Sequence, residues 1–302
     1  MTLALTYRTG TPGDSRAVFD VFLESILDLG RRTGSMPITG GDDPRVIPRL
    51  WETRQPLFDH LARSADQFWL AERQGRVVGY ARSIVRGGLR QLTEFFVLPG
   101  EQSAGVGREL MGRAFPADPK RRRAIVASTD SRALARYLKA GLFPHFPIFY
   151  FSRPAQDEPH TSDLAVEPVT LSRVVLEALR ALDQSVLDVQ RDEEHEWLLA
   201  NRAGHLYRRR GRVVGYGYLG PSSGPFAILD PRDWAAVLAH AEAEAARRGG
   251  AFGVEVPMVN RDAVRFLLGR GFRVDSFFSL FMADRPFGRF ENYLFTSPPF
   301  FL

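Results

Sequence analysis

The sequence predicts an α/β protein built as two tandem copies of one unit. Each copy is expected to be a mixed sheet, with both hairpins and crossovers, flanked by helices. Three observations lead there. At roughly 150 residues per domain, 302 residues suggest about two domains. The hexapeptide Gly75-Arg76-Val77-Val78-Gly79-Tyr80 recurs as Gly211-Arg212-Val213-Val214-Gly215-Tyr216, 136 positions on, and a second echo follows in the same order. That echo pairs Ala133-x3-Tyr137-x3-Gly141-Leu142 with Ala263-x3-Leu267-x3-Gly271-Phe272, 130 positions on. Finally, strand-like and helix-like segments alternate as an α/β unit requires.

The elements of the first copy follow in order. Leu3 to Arg8 reads as a short strand. Pro12-Gly13-Asp14 then opens a helix with Val18, Phe19, Phe22, Ile26 and Leu29 at helical spacing. Asp43-Pro44 opens a second helix through about Arg63. Phe68–Arg73 and the strand after Arg76 form a hairpin turning at Gln74-Gly75, as their counterparts do at Arg210-Gly211. Leu89–Leu98 is a strand, Gly105–Phe115 a helix stopped by Pro116, and Ala124–Ala127 a strand. A helix over Asp130–Ala140 ends at Gly141, and Phe143–Phe151 supplies closing strands. The Pro-bracketed stretch Pro154–Pro159 reads as a linker, giving a first domain over 1–153, a second over 160–284 and an aromatic tail over 285–302.

Composition excludes several classes. With 44% hydrophobic and 25% charged residues the chain is globular, neither disordered nor collagen-like. No apolar run approaches the ~20 residues of a bilayer span, and Met1–Gly10 lacks a secretory pattern. A cytoplasmic protein without membrane attachment is therefore expected. Cysteine is absent, which removes disulfides, thiolate metal sites and cysteine nucleophiles. The six histidines show no ligand pairing, and His195-Glu196-Trp197-Leu198-Leu199 lacks the second histidine of a zinc protease motif, so no metal is expected.

The net charge of +5 first suggests nucleic acid, but only two of the 40 basic residues, Lys120 and Lys139, are lysines. Lys120–Arg123 reads as a solvated turn, and Arg208–Arg210 has no interleaved aromatics for base stacking. No nucleic-acid partner is expected.

The chemistry concentrates in Phe95-Phe96-Val97-Leu98-Pro99-Gly100-Glu101-Gln102-Ser103-Ala104-Gly105-Val106-Gly107-Arg108. A strand leads through a loop of small residues to a helix beginning at two glycines. That arrangement lets backbone N–H groups and a helix dipole meet an anion. Gln102-x2-Gly105-x-Gly107 after Val97-x-Pro99 resembles the acyl-CoA pyrophosphate loop of the GNAT acetyltransferase superfamily. Asp130-x2-Ala133-x3-Tyr137-x3-Gly141-Leu142 resembles that superfamily's second motif, although Asn is commoner than Asp at the first position and Phe commoner than Leu at the last. The opening Tyr7–Asp14 is similar to a GNAT first strand and helix start.

The resemblance covers about 1–153. It implies two tandem GNAT-like domains, each a mixed, mostly antiparallel sheet flanked by helices, with acetyl-CoA as cosubstrate and an amine-bearing acceptor as partner. It further implies that backbone N–H groups of Phe96, Val97 and Leu98 polarise the thioester carbonyl. Gln102, Ser103, Ala104, Gly105, Val106, Gly107 and Arg108 would hold the pyrophosphate, and Asp130 would be a further cofactor-binding residue. On pattern alone Tyr137 is a core aromatic; the resemblance makes it the general acid for the leaving thiolate. Glu94 becomes a base or amine ligand, with Glu24, Asp28 and His145 as further candidates.

The second copy is expected to have lost this chemistry. At an offset of 132, Gln102–Gly107 fall on Trp234–Ala239, which contain no glycine, and Leu267 replaces the tyrosine. The tail, with Phe287, Phe290, Tyr293, Phe295, Phe300 and Phe301, is expected to pack into a groove between the copies. The first 153 residues carry 23 basic and 15 acidic side chains, the rest 17 and 20, so the positive half is the one with the intact loop. An N-acetyltransferase, monomeric or homodimeric, is the leading expectation; a non-catalytic acyl-CoA-binding regulatory protein is the alternative.

Overall fold

The structure, a computed structural model, describes residues 4–34, 46–102 and 105–302. The chain forms two compact units, Met1–Ile125 with Thr129–Phe143, and Val126–Ser128 with Pro144–Leu302.

In the first unit, β1 (Leu5–Thr9) is followed by α1 (Ser15–Thr33) and α2 (Ile47–Ser64). Then come β2 (Gln67–Arg73), β3 (Arg76–Arg86), β4 (Leu89–Val97), α3 (Val106–Ala114), β5 (Arg122–Ala127) and α4 (Ser131–Lys139). Strands β1 to β4 pair antiparallel in sequence order, and β5 joins β4 in parallel. The apolar spacing read from the sequence becomes the buried face of α1, with Val18, Phe19, Ile26 and Leu29 in the core. The expected opening of α2 at Asp43-Pro44 lies outside the described residues.

The second unit begins with β6 (Phe143–Pro154), β7 (Ala165–Val169), α5 (Arg173–Leu187), α6 (Asp192–Asn201), β8 (Ala203–Arg209), β9 (Arg212–Leu219) and β10 (Phe226–Ile228). It ends with α7 (Trp234–Arg247), β11 (Ala251–Pro257), α8 (Arg261–Gly269), β12 (Arg273–Ala283) and β13 (Tyr293–Leu294). One sheet runs β13-β10-β9-β8-β7, and β12, β6 and β11 lie side by side in that order. The sequence reading ends the first copy at residue 153. Residues 144–154 nevertheless belong to the second unit, because β6 pairs with β11 along Ile148↔Pro257 to Pro154↔Ala251.

The repeated hexapeptide builds the same device twice. Gln74 and Gly75 adopt φ of 54° and 74°, Arg210 and Gly211 φ of 49° and 79°, the two left-handed residues that a tight hairpin with native twist needs. Both hairpins then bulge. Ala71 faces Gly79 but Glu72 faces Val77, and Tyr207 faces Gly215 but Arg208 faces Val213. The carbonyl of the bulged valine accepts a backbone bond in each copy, from Leu98 to Val78 at 2.9 Å and from Leu229 to Val214 at 2.8 Å. Glycine is needed beside the bulge, since a Cβ on Gly215 would meet the Ala227 oxygen at 2.8 Å and one on Gly79 the Phe96 oxygen at 3.1 Å.

A buried polar network ties α5 and α6 to β9. Asp183 accepts from Arg191 at 2.8 and 3.1 Å and from the Tyr216 hydroxyl at 2.6 Å. His195 bridges Asp183 at 2.9 Å and the Tyr218 hydroxyl at 2.8 Å. Burial alone would raise the Asp183 carboxyl, but Arg191 and His195 outweigh it and hold the group well below the usual carboxylate range. Asp183→Ala would leave the buried guanidinium of Arg191 uncompensated. Urea unfolding should record a loss of about 3–5 kcal/mol; a loss under about 1 kcal/mol would show the network to be energetically idle.

Candidate active site

The site begins where two strands part. Strand β4 pairs with β5 only from Leu89↔Arg122 to Leu92↔Ile125, while its pairing with β3 continues to Gly79↔Val97. The parting coincides with a bulge in β4, since Arg82 faces Glu94 but Ser83 faces Leu92. An extra residue increases local twist and turns the strand away from its neighbour. The bulged Thr93 closes the irregularity by donating its hydroxyl to the Arg82 carbonyl at 3.1 Å.

Glu94 sits at this bulge and is fully engaged. Tyr80 donates its hydroxyl to one carboxylate oxygen at 2.8 Å, and Arg82 donates Nε to the other at 2.5 Å. Neither the Arg82 nor the Glu94 side chain is exposed to solvent. Arg82 also donates to the Phe58 carbonyl at 2.9 Å and lies over the rings of Phe58, Phe68 and Tyr80. Burial raises the Glu94 pKa, and the guanidinium beside it counters that shift. The side chain expected to face an acceptor amine is thus the inner half of a cross-strand ion pair. Glu24 and Asp28 face arginines as well, Arg76 at 3.3 Å and Arg32 at 2.8 Å, and His145 lies in the second unit against Phe281.

The expected carbonyl-polarising amides do not all point one way. Leu98 spends its N–H on Val78, and alternation along an antiparallel strand turns the Phe96 amide the same way, toward β3. Val97 faces the opposite, parted side. Its carbonyl accepts Gln102 Nε2 at 2.9 Å and lies 3.5 Å from Ser25 Oγ. Of the three amides, only that of Val97 is aimed into the gap.

Beyond the strand, Gly100 at φ 86° turns the chain and Glu101 anchors the loop to Arg73 of β2 at 2.9 Å. Ser103 and Ala104 lie outside the described residues. Gly105, at φ 80°, is the N-cap of α3 and supplies no side-chain cap. Its carbonyl takes the amides of Arg108 and Glu109, so those of Val106 and Gly107 have no acceptor within the helix. Gly107 leaves a narrow space, since a Cβ there would meet Phe95 Cζ at 3.1 Å and Arg136 Nε at 3.2 Å. Arg108 is exposed. The Gln102 Oε1 atom is buried with no hydrogen-bond partner among the described residues. Uncapped amides and a glycine at the start of α3 suit an anion such as the pyrophosphate of acyl-CoA, while the orphaned Gln102 Oε1 calls for a hydrogen-bond donor, such as the amide N–H groups of its pantetheine arm.

Tyr137 closes the other side. It is 4% exposed and meets Phe95 edge-on, ring centroids 6.1 Å apart, and Phe95 in turn borders Gly107. Its hydroxyl has no hydrogen-bond partner among the described residues. Burial first, and then the Asp130 carboxylate, raise its pKa, so the phenol keeps its proton through the neutral range. Asp130 caps α4, accepting the Arg132 amide at 2.9 Å, and pairs with Arg32 at 2.8 Å and Arg132 at 3.1 Å. Its role is to start the helix that presents Tyr137.

Two groups escaped the sequence reading. Arg136 reaches Gly107 of α3 from α4, and no spacing announces that. Arg82 could have been noticed, as a charge at alternate spacing from Tyr80 in the middle of a strand-like stretch.

Residues 64–141 match the family model for the acetyltransferase (GNAT) domain. The chain carries a GNAT domain. The match spans β2 to the end of α4, the elements that hold Tyr80, Glu94, Gln102 and Tyr137. Over the whole length the fold is that of tandem GNAT proteins. A protein of Pyrococcus horikoshii described as an acetyltransferase superposes with a TM-score of 0.73 at 16% identity, over 96% of this chain and 92% of that one. A tandem GNAT protein from the clavulanic acid biosynthesis pathway gives 0.56 at 14% identity, over 94% and 99%. A GCN5-related N-acetyltransferase from Sphaerobacter thermophilus gives 0.55 at 17% identity, over 95% and 99%. A sequence comparison with curated proteins finds no match. Among the described residues no group of three or more His, Asp or Glu side chains is arranged to hold a metal, and no helix is long and apolar enough to cross a membrane.

The cap of the GNAT helix carries its own pH signature. Desolvation opposes ionisation of Asp130, but Arg132 and Arg32 prevail and lower its pKa from 3.8 to about 2. A carboxylate depressed on folding stabilises above its unfolded pKa and loses that contribution as pH falls through the folded value. The advantage of the wild type over Asp130→Asn, read from thermal midpoints, should be constant above about pH 4 and shrink between pH 4 and about 2. A pH-independent difference would mean that the ion pairs contribute nothing.

Proposed function

We propose that the first copy transfers an acetyl group from acetyl-CoA to a primary amine by direct attack. The observation that carries this reading is the gap between β4 and β5, bordered by the inward amide of Val97, the uncapped start of α3 and the unpartnered hydroxyl of Tyr137. The amine nitrogen bonds to the thioester carbon, the carbonyl oxygen gains charge, and the C–S bond breaks to leave an amide and a thiolate. Val97 N–H stabilises the developing oxyanion. The amides of Val106 and Gly107, with Arg136 beside them, hold the pyrophosphate, and Arg108 adds positive charge at the same end. Tyr137 donates its proton to the departing sulfur and is reprotonated from the amine side.

Glu94 has a different task in this reading from that of a base. It holds Arg82 and Tyr80, and with them the bulge that parts the strands, so the ammonium loses its first proton to solvent before attack, and only the second, released after attack, returns to Tyr137. With an alkyl amine of pKa about 10, kcat/KM should then rise roughly tenfold per pH unit through the neutral range. Because Glu94 is engaged, a second reading stands beside the first, in which the protein binds acyl-CoA and regulates without turnover.

One assay separates the two. Acetyl-CoA incubated with a panel of primary amines should release free thiol. Tyr137→Phe should lower kcat by about 10²-fold or more while KM for acetyl-CoA changes little. An unchanged kcat would remove Tyr137 as the acid. Binding without release on any amine would favour the regulatory reading, and failure of acetyl-CoA to raise the thermal midpoint would sink both.

A further inference from the structure

The second copy has its own version of the gap, and it is filled. In register, Ile228 faces Gly215 as Val97 faces Gly79, so β10 (Phe226–Ile228) corresponds to the stretch of β4 that parts from β5. The counterpart of β5 is β11. Strand β13 lies along β10, with Phe226↔Leu294 and Ala227↔Tyr293 antiparallel, and its next residue bridges to β11, where the Phe295 amide donates to the Glu255 carbonyl at 3.0 Å. One short strand thus answers the edges of both parted strands.

Side chains at the positions of the first copy's candidate site hold this strand. Asn292 donates Nδ2 to the Ile228 carbonyl at 2.9 Å, the contact that Gln102 makes to Val97 in the first copy. Trp234, at the sequence position of Gln102, donates its indole N–H to the Glu291 carbonyl at 2.9 Å. Asn260, the counterpart of Asp130, caps α8 and reaches the Tyr293 carbonyl at 3.4 Å. The Tyr293 hydroxyl accepts from Arg191 at 3.2 Å, and Tyr293, Leu294 and Phe295 are all completely buried.

We propose that Phe290–Phe295 is a built-in occupant of the second copy's cleft, a strand of this chain held where the first copy leaves room for acyl-CoA. The physical reason is the demand of backbone groups for partners. Two parallel strands that part inside a core leave amides and carbonyls that must be satisfied. The first copy retains glycines and open amides there; the second meets the demand by strand addition. The second copy is therefore a closed lobe without an acyl-CoA site.

Amide hydrogen exchange of the full chain decides this. The Phe295 amide should exchange at least about 10³-fold more slowly than an unstructured amide, and millimolar coenzyme A should not change that rate. Exchange at the rate of an exposed loop, or deprotection on adding coenzyme A, would overturn the proposal. Asn292→Ala should speed exchange at Tyr293–Phe295 by about tenfold or more, and an unchanged rate would show that the side-chain clamp does not hold the strand. Titration with coenzyme A should give at most one equivalent per chain, and two equivalents would overturn the closed lobe. No binding at all would remove the acetyltransferase reading while leaving the exchange prediction intact, so the two can fail separately.

Discussion

The candidate site depends on one irregularity, the bulge at Thr93 where β4 leaves β5. Up to Leu92 the two strands answer each other's backbone groups; after it they do not. A buried strand edge is costly unless something else supplies hydrogen bonds, so the parting has to be held open. The cross-strand pair of Arg82 and Glu94 sits at the bulge, with Thr93 closing it and Arg82 tying it to the Phe58 carbonyl within α2. Buried ion pairs are weak as sources of net stability, but removing one partner is severe. Such a pair suits a role in specifying which residue is bulged.

The two copies place polar networks at matching positions and use them differently. Tyr80 and Arg82 on β3 correspond to Tyr216 and Tyr218 on β9. In the first copy they grip a carboxylate on the next strand. In the second, Tyr216 donates to Asp183 on α5, and Tyr218 reaches that carboxylate only through His195. Moving the carboxylate from strand to helix leaves β10 without an acidic clamp, and the gap beside it is occupied by β13. One fold is thus kept in two states, one with open backbone groups and one with those groups met by the chain itself.

Much of this was legible. The hexapeptide repeat announced both hairpins, because left-handed φ at Gln74-Gly75 and Arg210-Gly211 is a local requirement. The glycine loop and the Ala133–Gly141 pattern located α3 and α4, since helix starts and stops are written in a few adjacent residues. The missing glycines of Trp234–Ala239 marked the second copy as altered for the same reason. The tail was expected between the copies from its aromatic density alone. Residues 293–295 of it pair with Phe226, Ala227 and Glu255 of the second unit, backbone partners far away in sequence that no local pattern announces.

The α/β class, the duplication and the place of the loop follow from short-range periodicity and backbone sterics, which act between neighbours in the chain. Which groups remain available is set by folding. Glu94 is consumed by Arg82 across a strand pair, Leu98 spends its amide on Val78, and Arg136 reaches Gly107 from another helix. Availability of a hydrogen-bonding group is a balance over all its neighbours in space, and those neighbours come from strands and helices that the chain brings together only on folding.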